Sequence, residues 1–214
     1  RNEKGVKYGL GSSAAVTVAA VSALLNYYHI GFTEETLFKL SALANISINS
    51  NGSCGDIAVC VYGGWIAYTA FDREWVLDKL KTLTVKELLK LEWPYLKIER
   101  LTPPKELNLA IGWTGAPSST ANLVHKVRNR SLHNGYTYDK FLKDSKICIE
   151  GMVDAFKDGN IEEIQRQIRR NRELLVKIGD ELGVEIETPK LKKLCDIAQK
   201  YNGSAKTSGA GGGD

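Results

Sequence analysis

The chain has 214 residues, 43% hydrophobic and 25% charged, with a formal net charge of +4, a balance that excludes a disordered or fibrous protein and leaves room for one large domain or two small ones. Its longest apolar stretch, Ala14 to Leu25, is broken by Thr17 and Ser22 and falls short of the roughly 20 residues a membrane helix needs, so no spanning segment and no membrane partner is predicted. The mild positive charge suits an anionic ligand but is equally common as plain surface chemistry, so it selects no function class by itself.

In chain order, Ser12 to about His29 reads as a helix with apolar residues on nearly every face, hence one enclosed by protein. Gly31 interrupts it. Thr33 followed by Glu34 and Glu35 starts a second helix through about Ala44, with acids where the positive helix end favours them. Asn45 to Gly55 is then a polar loop, Ile57 to Tyr62 a short helix, Gly63-Gly64 a turn and Trp65 to Phe71 a strand. Helices are predicted at Asp72 to Leu80 and Thr84 to Leu91, and a strand at Tyr95 to Leu101. Pro103-Pro104 interrupts regular structure and places a domain boundary, giving domains 1–104 and 105–214.

Beyond it, Leu107 to Trp113 reads as an apolar strand, Thr114 to Thr120 as a turn and about Ala121 as a helix start. Two longer helices follow, Tyr138 to Phe156 and Asn160 to Leu182. In the second, Ile161, Ile164, Ile168, Leu175, Ile178 and Leu182 share one face, and Asn171 occupies the gap in the stripe. Asn171 there is either a core asparagine or a group facing substrate. Thr188-Pro189 opens a last helix, ended by Gly203, and the chain closes on a glycine-rich run suited to backbone contact with a ligand.

Cys54, Cys60, Cys148 and Cys195 lie far apart with no C-x-x-C pair, and His29, His125 and His133 are not at ligand spacing. The pattern predicts reduced thiols in a cytoplasm and no structural metal. Arg166, Arg169, Arg170 and Arg172 share a helix with Glu162, Glu163 and Glu173 and have few aromatic neighbours, so they read as a solvated face and predict no nucleic-acid partner.

Three segments carry chemistry. In Lys7-Tyr8-Gly9-Leu10-Gly11-Ser12-Ser13-Ala14-Ala15 the glycines let the backbone curl and present consecutive N–H groups where a helix begins, which is an anion site. The serines can cap the helix, contact phosphate or ligate magnesium, and Lys7 can add a point charge. The G-K-[ST] ending of a Walker loop is absent. A lone Gly-x-Gly is as readily a bare helix cap. The other two segments are Asn51-Gly52-Ser53-Cys54-Gly55-Asp56 and Lys206-Thr207-Ser208-Gly209-Ala210-Gly211-Gly212-Gly213-Asp214.

In this order the three strings resemble the second motif, the catalytic-aspartate segment and the third motif of the GHMP kinases, a superfamily that phosphorylates small metabolites. Lys7-Tyr8 directly before Gly9-Leu10-Gly11, the phrase Phe71-Asp72-Arg73-Glu74-Trp75 and the turn Gly112-Trp113-Thr114 are most similar to its bacterial phosphomevalonate kinase branch. The resemblance implies an α+β GHMP kinase fold: an N-terminal domain like ribosomal protein S5 domain 2 and a C-terminal ferredoxin-like domain, both incomplete. A member of the family would begin with a first motif of Gly-Lys-Leu type, which is missing before Arg1, and would continue past Asp214, so a fragment is expected.

The resemblance further implies ATP and Mg2+, with 5-phosphomevalonate phosphorylated to 5-diphosphomevalonate. Lys7, Ser13 and Asp56 are then catalytic; Gly9, Leu10, Gly11, Ser12, Ser13 and Ala14 hold the nucleotide, with Ser13 the candidate magnesium ligand. Ser53, Ser118, Ser119, Thr120, Lys206, Ser208, Gly209, Ala210, Gly211 and Gly212 are the substrate-binding candidates. Ser118 to Thr120 read equally as a simple helix cap, and oligomeric state is left open. Mevalonate kinase, diphosphomevalonate decarboxylase and a non-catalytic binding protein of the same fold stay open as alternatives.

Overall fold

In the computed structural model, which describes residues 11–48, 52–115, 127, 135–209 and 211–212, the chain divides into a unit spanning Gly11–Leu101 and a second that takes in Thr102–Asp214. The first unit runs α1 (Ser12–Tyr27), α2 (Glu34–Ile48), α3 (Gly55–Tyr62), β1 (Trp65–Thr69), α4 (Arg73–Lys79), α5 (Val85–Lys90) and β2 (Lys97–Leu101). Most of its helix starts are written locally. Thr33 accepts from the Thr36 amide at 3.1 Å ahead of the acidic first turn of α2, and Asp72 caps α4 through the Trp75 amide at 2.9 Å. Thr84 and Glu87 form a reciprocal capping box on α5.

β1 and β2 pair antiparallel, Trp65 opposite Leu101 and Thr69 opposite Lys97. One core joins the helices to this ribbon: Ala14, Val18, Phe38, Ala42, Ile46, Ile57, Ala58, Val76 and Leu88 are buried together. Alanines on α1, α2 and α3 let the three helices approach closely. Phe38 meets Tyr68 and Phe71 edge to face, with ring centroids 6.1 and 6.3 Å apart. Burying a side chain such as Phe38 or Ile57 contributes roughly 1.5–3 kcal/mol. Arg100 ties β2 to the helices, donating to the Tyr62 carbonyl at 3.0 Å and to both carboxylate oxygens of Glu34.

Two expectations change here. The second helix runs four residues beyond Ala44, because Ile46 follows Ala42 at the next turn and keeps the buried face going. The described residues cover the first helix on one side only. Among the described residues it packs on α2 and α3 through Ala14, Val18 and Leu25, while Val16 is 69% and Leu24 58% exposed. An all-round apolar sequence records what a helix tolerates, and only the neighbours decide which side is covered.

The second unit contains α6 (Gly135–Lys157), α7 (Ile161–Leu182) and α8 (Pro189–Lys200). Asn160 caps α7 through the Glu163 amide at 3.0 Å, and α6 and α7 pack along Cys148, Ile164, Gln167 and Asn171. Gly151 lies at this crossing, where a Cβ would stand 3.0 Å from the Gln167 side-chain amide nitrogen. Asn171 is buried at this crossing, and the Cys148 thiol donates to the Gln167 carbonyl at 3.2 Å. Left-handed Gly183 closes α7, with the Val184 amide returning to the Gly179 carbonyl at 2.7 Å. Thr188 caps α8 with Pro189 at its first position.

Leu107 to Trp113 forms no strand among the described residues, and Leu109 and Ile111 lie open to solvent. A strand needs a ladder partner, and the described elements of this unit are all helices. Only Thr114 and Gly115 of the predicted turn, and none of the helix start at Ala121, fall within the described residues. Arg172 is also not on a solvated face. It is buried, and it donates to both oxygens of Glu187 at 2.6 and 2.8 Å and to Asp196 at 2.9 Å, joining α7 to α8 and to the residue before its cap.

Glu187 keeps a side-chain exposure of only 7%, so removing its guanidinium partner strands a carboxylate. Arg172→Met is expected to lower stability by about 3 kcal/mol in urea unfolding, and the double change Arg172→Met with Glu187→Leu to recover most of the loss.

Candidate active site

The front of α1 is built by Gly11, whose φ of 71° is the left-handed region where a side chain is strained. Among the described residues no side chain caps this helix, and its first turn carries no acid. Ser12 and Ser13 are exposed at this end, and Ala14 anchors it in the core.

Asp56 comes to the same place from the first turn of α3. A Cβ built on Gly11 would stand 3.8 Å from the Asp56 Cβ, so the two segments face each other although 45 residues of sequence separate them. One Asp56 oxygen accepts from the Ile57 amide at 3.0 Å. A helix start with a carboxylate beside it can hold an anion on its amides, and can hold a cation between that anion and the acid.

The approach to α3 is unusual. Cys54 occupies its N-cap in the left-handed region, with φ 60°, and is fully buried; burial pushes its thiol up to about 11, which leaves it an inert filler. Ser53 turns its hydroxyl toward the Gly55 amide at 3.3 Å. The Ser53 carbonyl accepts from the Tyr68 hydroxyl at 2.7 Å, and the Gly52 carbonyl accepts from the Arg73 guanidinium. Neither Tyr68 nor Arg73 had a site role in the sequence: Tyr68 lies in the predicted strand and Arg73 entered only within the phrase Phe71-Asp72-Arg73-Glu74-Trp75, and their partners lie 15 and 21 residues away.

In the second unit the glycine-rich run folds back on the end of α7. Gly212 donates to the Ile186 carbonyl at 2.8 Å, and Gly211 and Gly212 take φ of 79° and 85°. A side chain on Gly211 would strike that carbonyl. Lys206 donates to the Thr207 carbonyl at 2.8 Å, and desolvation holds its ammonium below the usual lysine range. Thr207 is buried with its hydroxyl unpartnered among the described residues, while Ser208 and Gly209 are exposed. Lys7, Gly9, Leu10, Ser118, Ser119, Thr120 and Ala210 lie outside the described residues. No helix among the described residues is long and apolar enough to cross a membrane.

Two family models match the chain, GHMP kinases N terminal domain over residues 2–64 and GHMP kinases C terminal over residues 152–214. The chain belongs to the GHMP kinases, and the mixed helix-and-strand architecture is that of this fold. It is 42% identical, over its whole length, to a phosphomevalonate kinase of Streptomyces sp. strain CL190, of which it spans 57%. Among solved structures it is similar to a Lin0012 protein from Listeria innocua, with TM-score 0.95 and 42% identity over 100% of this chain and 60% of that one. It is also similar to the Streptococcus pneumoniae phosphomevalonate kinase in complex with phosphomevalonate and AMPPNP, with TM-score 0.84 and 30% identity over 99% of this chain and 61% of that one.

Gly11→Ala tests the helix front. The left-handed conformation is expected to cost about 1 kcal/mol in thermal unfolding.

Proposed function

We propose that this chain is the greater part of an ATP-dependent phosphomevalonate kinase, which transfers the γ-phosphoryl group of ATP to the phosphate of 5-phosphomevalonate. The observation that carries the reading is the apposition of Asp56 to Gly11 at the front of α1. The phosphomevalonate kinases among its relatives support the choice of acceptor.

In the reaction an acceptor phosphate oxygen attacks the γ-phosphorus, the bond to the β,γ-bridging oxygen breaks, and ADP leaves with those electrons. The protein aligns the two phosphates and offsets developing charge. The amides from Gly9 to Ala14 hold the nucleotide's phosphates, and Lys7 neutralises charge at the transferred group. The acceptor is already anionic near pH 7, so it needs no strong base. Asp56 therefore orients the lysine or holds magnesium. Ser53, Ser118, Ser119 and Thr120 are assigned to the acceptor, as are Lys206, Ser208, Gly209, Ala210, Gly211 and Gly212.

Magnesium fits this place because the Asp56 carboxylate stands beside the α1 front that carries the Ser13 hydroxyl, and both are hard oxygen donors. Bound with ATP, it supplies charge neutralisation across the phosphates. The free thiols of Cys54, Cys60, Cys148 and Cys195 support a reducing, cytoplasmic setting.

A coupled ADP-release assay on the full-length protein with mevalonate, 5-phosphomevalonate and 5-diphosphomevalonate tests the assignment; turnover is expected with the second alone. Asp56→Asn is expected to cut kcat by about a hundredfold or more while circular dichroism stays unchanged. Turnover with mevalonate would reassign the acceptor, and near-normal turnover in the variant would remove Asp56 from the mechanism.

A further inference from the structure

The N-cap of α3 does not fix its approach. Cys54, the N-cap residue, makes no capping bond and sits in a conformation that costs a non-glycine residue roughly 1 kcal/mol, and the bonds of Ser53 to the Gly55 amide and of Asp56 to the Ile57 amide are local. What fixes the approach is a pair of carbonyls, those of Gly52 and Ser53, each taken by a side chain from a different element. Once both carbonyl directions are set, the peptide planes on either side of Ser53 are set too. Cys54 and Gly55 then have little freedom left, and Asp56 follows directly.

The two donors are themselves rigidly mounted. Tyr68 stands on β1, its ring edge to face with Phe38 at 6.1 Å and 3.5 Å from where a Cβ on Gly55 would be. Burial keeps its phenol protonated far above neutral pH, so it is a permanent donor. Arg73 is the first residue of α4, whose cap Asp72 accepts from Trp75 and whose entry is fixed by the Asp72 amide donating to the Pro94 carbonyl at 2.9 Å. Its bond to Gly52 is charge-assisted, the stronger kind of hydrogen bond to a carbonyl.

We infer that Tyr68 and Arg73 are positioning residues that act through the Gly52 and Ser53 carbonyls to hold Asp56 against the front of α1. The inference rests on the kinase reading for its kinetic consequence and on geometry alone for the clamp. Tyr68→Phe keeps the ring and deletes one hydrogen bond, and is expected to lower kcat about fivefold to tenfold with KM for ATP changed less than about twofold. Arg73→Ala is expected to lower kcat by about thirtyfold, with Arg73→Lys recovering part of the loss through its remaining donor.

The discriminating measurement is a double-mutant cycle in the full-length protein, joined to amide hydrogen exchange. If Tyr68 acts through Asp56, Tyr68→Phe slows the wild-type enzyme but leaves the residual rate of Asp56→Ala unchanged, and the amides of Gly55 to Ile57 exchange faster while those of α6 and α7 do not. Equal slowing in both backgrounds, or in neither, overturns the inference. A wild-type protein with no turnover on any acceptor would instead overturn the function assigned above. The clamp would then be decided by exchange alone, upheld by faster exchange at Gly55 to Ile57 and overturned by unchanged rates.

Discussion

The structure of the first unit depends on one apposition, a helix N-terminus set against a carboxylate from another helix. Either group alone is ordinary. Helix fronts are commonly capped, and an aspartate in a first turn is usually a local acceptor. Here Gly11 cannot cap its own helix, and among the described residues one Asp56 oxygen accepts from its neighbour's amide. The charge of the one and the partial charge of the other are left facing each other, where a polyanion with its cation fits both.

Keeping that geometry is the work of the surrounding packing. Small residues, Ala14 on α1 and Ala58 on α3, bring the helices close, and the Phe38 cluster backs them. The loop into α3 would be poorly determined by its own sequence, given a left-handed cysteine and two glycines. Tyr68 and Arg73 determine it from outside. The second unit solves a similar problem with different means. A buried guanidinium, Arg172, ties α7 to α8, and the glycine run closes by a main-chain bond to Ile186 that only a residue without a side chain permits.

Much of this was legible beforehand because it is local. The caps at Thr33, Asp72, Thr84, Asn160 and Thr188 stand beside the helices they start, and the three glycine-bearing strings carry their resemblance in order along the chain. What was misread depended on neighbours. Ser12–Tyr27 is apolar all round, yet α2 and α3 cover one side of it. Arg172 looked like its solvated neighbours, because nothing near it in sequence announces Glu187 and Asp196. Leu107 to Trp113 has the residues of a strand but no described partner to make it one.

The amino-acid sequence by itself determined where most helices begin, which residues could bind anions and which family the motifs resemble, since each is a matter of residue type at short spacing. Tertiary structure alone decided that Asp56 meets Gly11, that Tyr68 and Arg73 grip the loop between them, and that one arginine of four is buried. Those facts rest on contacts across 15 to 45 residues, and hydrogen-bond direction and burial at such range are set by how the elements pack.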